Sequence, residues 1–205
     1  KIQIQSAADS TVAGASAYAL TTSTLGGPDF TVVTLTLSAA DFVGLGSISG
    51  LATEINDTFI TLSAAAIDDT VGRDVTAITD GAGIRAKTFI SDTSVPVVQS
   101  FSLDMSTAEL LLTFNEPINA TSLLTAATFA LQSVSNLTAL PSATQYTLAA
   151  TTGTVSTDGT VATLTLGDVD MNVLRADDSI ATSTSNVFLR YTAQSFTDFA
   201  GNPPA

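Results

Sequence analysis

Carboxylates are the main groups in this sequence that could take part in catalysis, because the chain has no His and no Cys. The usual general bases, thiol nucleophiles and soft metal ligands are therefore missing. Lys1 and Lys87 are the two lysines, and neither lies in a recognisable catalytic motif. Glu116, in Phe-Asn-Glu-Pro, is the best candidate for one half of a carboxylate pair that hydrolyses glycosides. Because His and Cys are missing and neither lysine lies in a motif, the sequence predicts that the protein is not an enzyme.

Aspartates raise the separate possibility of calcium, which prefers hard oxygen ligands. The candidates are the pairs Asp68-Asp69 and Asp177-Asp178, together with Asp198. None of them forms an EF-hand or another loop of regularly spaced aspartates. Asp69 and Asp198 occupy one position of the internal repeat described below, and Asp41 and Asp170 occupy another, which favours local hydrogen bonding in turns. Calcium stays possible but unsupported, and we predict no cofactor and no metal site.

Three Asn-x-Ser/Thr sequons mark Asn56, Asn119 and Asn136 as acceptors for N-linked glycans. Unmodified surface asparagines are the alternative interpretation. Combined with a low lysine content and an acidic surface, the sequons favour a secreted glycoprotein. We therefore expect an extracellular or cell-surface location and covalent glycans at these sites.

The charge balance excludes several classes of partner. The chain has 19 acidic and 6 basic residues, for a net charge of -13, yet only 12% of its residues are charged. Such a surface repels the phosphates of nucleic acids and of anionic lipid headgroups. Apolar runs such as Leu-Leu-Leu at 110–112 are far shorter than the roughly 18 residues that span a bilayer. We expect neither nucleic-acid binding nor membrane insertion.

An internal repeat organises the chain. Four pairs of segments match at an offset of 127 to 129 residues: 2–6 with 129–133, 17–20 with 145–148, which aligns Tyr18 with Tyr146, 30–42 with 160–171, and 51–69 with 180–198. The second copy begins earlier, with 94–128, and the first copy ends later, with 73–93. We therefore expect an off-register part of a tandem array, with residues 1–93 as a repeat lacking its first strands and residues 94–205 as a repeat lacking its last strand.

The hydrophobic pattern has the period of two that is typical of half-buried β-strands. Val33, Leu35 and Leu37 alternate with Thr34 and Thr36, and the aligned segment 162–166 repeats the alternation. Short helical turns are predicted at 38–43, 121–127 and 167–174, where Ser, Thr or Asp can cap a helix. Short strands with turn residues between them predict an all-β protein made of antiparallel β-sandwiches.

Several motifs resemble the immunoglobulin-like repeat of bacterial S-layer proteins and giant extracellular repeat proteins. In chain order the motifs are Val-Pro-Val-Val-Gln-Ser-Phe (95–101), Leu-Thr-Phe-Asn-Glu-Pro-Ile (112–118), Tyr-Thr-Leu (146–148), Thr-Leu-Thr-Leu (163–166) and Asp-Phe-Ala-Gly-Asn (198–202). The first repeat departs from this pattern at 69–73. The resemblance implies tandem immunoglobulin-like sandwiches with an architectural role, and it places Glu116 in a strand-to-turn corner rather than in an active site.

A sandwich that lacks strands exposes an apolar groove and unpaired backbone groups, which neighbouring polypeptide must cover. The expected partners are copies of the chain or adjoining repeats, in a head-to-tail contact that repeats into a filament. We therefore predict a structural subunit of an extracellular glycosylated filament whose neighbours share strands. The alternative is a cell-surface adhesin, or another module that binds glycan or protein through its loops.

Overall fold

The computed structural model describes residues 1–29, 31–123, 127–139, 142–149 and 151–205, and for residues 28, 29 and 139 it describes the backbone alone. The chain divides into two compact units, Lys1–Thr93 and Ser94–Ala205. The described residues form thirteen β-strands and two α-helices, and every strand pair is antiparallel. The prediction of a mainly β protein with antiparallel sheets is therefore confirmed.

The first unit has six strands and one α-helix in its described part. In chain order they are β1 (Ile2–Gln5), β2 (Ala17–Ala19), β3 (Thr24–Asp29), β4 (Val32–Thr36), α1 (Ala39–Gly46), β5 (Phe59–Leu62) and β6 (Ile84–Arg85). One sheet has the order β2-β1-β5-β6, whereas β3 and β4 form a separate two-stranded hairpin. Residues 73–93, which have no counterpart in the second repeat, supply β6 to the edge of the four-stranded sheet.

The second unit has seven strands and one α-helix in its described part. They are β7 (Val98–Asp104), β8 (Glu109–Phe114), β9 (Phe129–Gln132), β10 (Gln145–Thr147), β11 (Thr151–Val155), β12 (Val161–Leu166), α2 (Asp168–Ala176) and β13 (Phe188–Tyr191). They form a three-stranded sheet, β10-β9-β13, and a four-stranded sheet, β11-β12-β8-β7. Alternate residues of β8 and β12 point inward and are buried, as their period of two predicts.

Two of the three predicted helical turns, 38–43 and 167–174, coincide with the α-helices α1 and α2. Ser38 caps α1 by accepting a hydrogen bond from the Asp41 N–H, and α2 follows Gly167. The turn predicted at 121–127 is a short 3-10 helix, Ala120–Ser122, capped by Asn119, and residues 124–126 of this prediction lie outside the described residues.

The cores of the two units differ greatly in size. In the described part of the second unit, fourteen buried apolar residues from both sheets and α2 form one cluster, centred on Phe129, Leu164 and Phe196. In the described part of the first unit, the corresponding cluster has three buried residues, Leu20, Leu45 and Leu51, with partly buried neighbours such as Leu35. The hairpin β3–β4 contributes little buried surface, so the first unit depends less on hydrophobic burial.

The first prediction compares two leucines aligned in the repeat. Leu164 is fully buried, so Leu164→Ala leaves a cavity and should destabilise the second unit by about 2–5 kcal/mol. Leu35 is only partly buried, so Leu35→Ala should destabilise the first unit by less than half as much. Hydrogen exchange of the backbone amides, assigned separately to each unit, measures both losses. Equal losses for the two substitutions would contradict the difference between the cores.

Candidate docking surface on the β3–β4 hairpin

A buried carboxylate holds the segment that leads into β3. Asp41, in the first turn of α1, is fully buried. Its Oδ1 accepts a hydrogen bond from the Thr21 N–H at 2.9 Å, and its Oδ2 accepts from the N–H groups of Thr22 at 2.8 Å and Ser23 at 2.7 Å. Three successive backbone donors therefore converge on one side chain. This contact fixes α1 to the start of the hairpin.

Tyr18 joins the same network from β2. Its hydroxyl donates to Oδ1 of Asp41 at 3.1 Å. The ring lies so close to α1 that a Cβ on Gly44 would stand 2.3 Å from the phenol oxygen, so this helical position requires glycine. Burial raises the pKa of Tyr18, and its hydrogen bond to the Asp41 carboxylate raises it further. Burial opposes ionisation of Asp41, but the donors of Ser23, Thr21 and Thr22 outweigh it and hold the pKa well below its ordinary value.

The second unit contains the same pair. Asp170, in the first turn of α2, accepts hydrogen bonds from the Tyr146 hydroxyl and from the Ala149 N–H, both at 2.8 Å. Burial raises the pKa of Tyr146 to about 12, assisted by the hydrogen bond to Asp170 and by its charge. The prediction of local turn bonding is therefore wrong for Asp41 and Asp170, because their partners lie 18 to 24 residues away. It is confirmed for Asp69 and Asp198, which bind Arg73 and Asn202 four residues later.

The hairpin that this network positions exposes apolar side chains. Val33 is 49% exposed and Leu37 is 36% exposed, whereas the aligned residues of the second unit, Ala162 and Leu166, are 0% and 4% exposed. The difference follows from strand pairing. In the second unit β12 lies between β11 and β8, but among the described residues β4 pairs with β3 alone. Large apolar groups at an open strand edge are typical of a surface that another chain covers.

A groove of 420 Å³ runs beside the hairpin. One wall consists of Leu25, the two glycines that follow it in β3, Val32 and Val33, and the other is the segment 67–70. Asp69 in this second wall accepts hydrogen bonds from the N–H groups of Val71 and Arg73 and pairs with the Arg73 guanidinium at 3.0 Å. These bonds, that of the Arg73 N–H first, lower the pKa of Asp69. The groove therefore combines an apolar wall with a fixed acidic wall.

The predicted carboxylate candidates are dispersed among turns. Asp68 is exposed, and Asp177 accepts from the Ser179 N–H at 2.9 Å. Asp198 is buried and accepts from the N–H and the Nδ2 of Asn202 at 2.8 and 2.7 Å. Glu116 lies in the turn after β8, as predicted, and a carboxylate oxygen of Glu116 lies within 4.8 Å of one of Asp198. The bonds from Asn202 account for both oxygens of Asp198, so structural bonding in the turn explains this carboxylate.

The three sequons differ in their surroundings. Asn136 is exposed and its Oδ1 accepts from the Thr138 hydroxyl at 2.7 Å, and the half-buried Asn119 has the same bond from Thr121. Asn56 is exposed in a 3-10 turn, where its Oδ1 accepts from Arg85 at 3.4 Å. Two of the three predicted acceptors are thus at the surface. Lys87 is exposed, and the α-amino group of Lys1 donates a hydrogen bond to the Ser63 hydroxyl.

Comparison with known proteins yields no match among family models, curated proteins or solved structures. No helix in the described ranges has the length and apolarity needed to cross a lipid bilayer.

The second prediction concerns acid. Because the folded pKa of Asp41 lies below its unfolded value of about 3.9, the ionised carboxylate stabilises the first unit above that value, and this stabilisation falls as the pH drops from about 5 toward 2. Asp41→Asn turns an amide donor toward backbone donors and should cost about 2–4 kcal/mol at pH 7. Urea unfolding of the first unit at pH 7 and pH 3 measures both effects.

The matched control is Asp74→Asn, at an exposed aspartate of the same unit. It should leave both the stability at pH 7 and its decline in acid unchanged. If Asp41→Asn were as stable as the unmodified chain at pH 7, Asp41 would not be the group that fixes α1 to the hairpin.

Proposed function

We propose that this chain is a structural subunit of an extracellular, glycosylated filament, assembled head to tail from immunoglobulin-like domains that share strands between neighbours. The observation that carries the proposal is the open, apolar β4 edge of the first unit. Val33 and Leu37 are exposed there, although the residues aligned with them are buried under a neighbouring strand in the second unit. An open strand edge with exposed apolar side chains is favourable only when another segment of polypeptide pairs with it.

The order of strand pairing supports a tandem repeat. In the first unit β1 lies between β2 and β5, and in the second unit β9 lies between β10 and β13. The hairpin β3–β4 corresponds in sequence to β11–β12, and each hairpin leads into a helix that contains the buried aspartate. The second unit adds β7 and β8 beside β12, which is the position that stays open beside β4.

The resemblance to extracellular immunoglobulin-like repeats then supplies the type of assembly. A contact between two different surfaces of identical chains is heterologous, and repeating it without closure produces a filament. Its partners are copies of this chain or adjoining repeats rather than nucleic acid or lipid, in keeping with the net charge of -13. A chain without His or Cys suits an architectural role better than a catalytic one.

The third prediction tests assembly. With increasing concentration, the purified chain should form higher oligomers in sedimentation experiments and filaments in negative-stain electron micrographs. Val33→Lys places a charge on the apolar edge and should raise the concentration needed for half-maximal assembly by at least about tenfold, or 1.4 kcal/mol. Val12→Lys is the matched control, since Val12 has the same 49% exposure and lies in a loop.

Val12→Lys should assemble like the unmodified chain. A chain that stays monomeric at every concentration and instead binds a glycan or protein through its loops would support the adhesin and overturn the filament.

The fourth prediction tests secretion and modification. Protein from the native source should carry N-linked glycans, with higher occupancy at the exposed Asn56 and Asn136 than at the half-buried Asn119. Peptide mass spectrometry after enzymatic deglycosylation detects each occupied site as an Asn converted to Asp. Thr138→Ala should abolish the glycan on Asn136 and leave Asn56 modified. Unmodified asparagines at all three sequons would remove the support for a secreted glycoprotein.

A further inference from the structure

Two edge strands in the described part of the chain, β4 and β7, combine an uncharged stretch of at least four residues with large apolar side chains. The edge of β4 over residues 33–36 consists of Val, Thr, Leu and Thr, and β7 is uncharged from Val98 to Leu103. Each lies at the end of its sheet in the described part of the chain. In a chain with a net charge of -13, copies repel one another, so uncharged edges are where backbone pairing between copies meets least opposition.

Most of the other edges are protected in the ways that proteins use against unwanted pairing. The edge strands β2 and β10 have three residues each and β6 has two, and β13 carries Arg190. Two longer edge strands are also largely uncharged. The strand β3 contains two glycines and a proline, and β11 has the sequence Thr-Thr-Gly-Thr-Val and offers little apolar surface. By contrast, β7 has Phe101 and Leu103 half-buried on its inner face.

The second unit shows how a strand of the β4 type accepts a neighbour. On β12, which aligns with β4, the strand β8 pairs antiparallel so that Ala162 lies opposite Leu112 and Leu164 lies opposite Leu110. Apolar residues thus meet on the inner face, and Thr163 lies opposite Leu111 on the outer face. If β4 accepts a neighbour in the same way, the new strand must have apolar residues two positions apart. One of them then lies opposite Val33 and the other opposite Leu35.

We propose that β4 of one copy pairs antiparallel with β7 of a second copy, an inference that rests on the proposed function and names its interface. Leu103 of the second copy then lies opposite Val33, Phe101 opposite Leu35, and Ser102 opposite Thr34. The bulge of β7 lies at Val98–Ser100, outside this register, and residues 100–104 pair regularly with β8. The result is a six-stranded sheet across two molecules, β3-β4 continued by β7-β8-β12-β11.

This pairing needs no strand to leave its own core. The β8 strand of a second copy satisfies the same register, but Leu110, Leu112 and Phe114 are buried in their own unit, and removing them would expose as much apolar surface as it covers. The β7 edge is available in the folded unit. Because β4 and β7 belong to different units, every added copy leaves one edge of each kind open, which is the condition for a growing filament.

The chain has no cysteine, so introduced thiols report the pairing directly. Thr34 and Ser102 are exposed, and so is Thr154 on the β11 edge. Thr34→Cys and Ser102→Cys are made as single variants, mixed at concentrations at which the chain assembles, and oxidised mildly. Directly opposed residues on antiparallel strands lie about 4.5–5.5 Å apart, within disulfide range. The mixture should give mainly the mixed dimer, and the double variant should give a ladder of disulfide-linked oligomers on a non-reducing gel.

The matched control is Thr34→Cys mixed with Thr154→Cys, which should give at least about tenfold less mixed dimer if β7 is preferred by 1.4 kcal/mol or more. Circular dichroism and hydrogen exchange establish that each variant is folded. Filaments that form without a link between positions 34 and 102, or with an equal link to position 154, would overturn the β4–β7 interface and leave the proposed function standing. A monomer with no links at all would overturn both.

Discussion

A buried aspartate at the start of a helix is the interaction on which both units depend. In the first unit Asp41 accepts hydrogen bonds from the N–H groups of three consecutive residues and from the Tyr18 hydroxyl. In the second unit the donors to Asp170 include the Tyr146 hydroxyl and the Ala149 N–H. A buried carboxylate is tolerated only when donors surround it, because its desolvation is costly. Once formed, the cluster permits a single arrangement of the strand, the helix and the segment between them. In the first unit this segment leads directly into β3, so the carboxylate determines where the apolar edge of the hairpin is presented.

The hydrogen bonds of the buried aspartate and the burial of apolar side chains contribute differently to the stability of the two units. The second unit has a fourteen-residue core in its described part and Phe114, Phe129 and Tyr191 packed around Phe196, so its aspartate supplements a large core. The first unit has three fully buried apolar residues in its described part and relies more on the hydrogen bonds of Asp41. Covering Val33, Leu35 and Leu37 would add apolar burial at about 25 cal/mol per Å². On this argument, assembly would also complete the fold of the first unit, and association and stability would be coupled.

Much of the fold was predictable because it follows from local periodicity. The alternation at 33–37 and 162–166 gave strands, and Ser38 and Gly167 preceded helices as expected. The surroundings of Asp41 were not predictable, because its donors come from residues 18–23, which turn chemistry does not relate to position 41. The alignment of Tyr18 with Tyr146 and of Asp41 with Asp170 contained the necessary clue, since two polar residues that recur together among apolar neighbours are good candidates for a buried pair. Which side chains the hairpin exposes was not predictable either, because it depends on strand pairing in three dimensions.

The distribution of charge limits where copies of a chain with an exposed apolar strand can meet. Its acidic residues lie mostly in turns and at strand ends. The hydroxyl and N–H groups of Ser106 and Ser179 lower the pKa values of Asp104 and Asp177, and the N–H groups of Arg73 and Val71 lower the pKa of Asp69, so these carboxyl groups stay ionised. The strand edges β4 and β7 have almost none. Electrostatic repulsion between copies is therefore weak along these edges. It opposes side-by-side association of whole molecules more than end-to-end association through one uncharged strand. Predominantly acidic charge in the turns and almost none on two open edges favours linear growth over disordered aggregation.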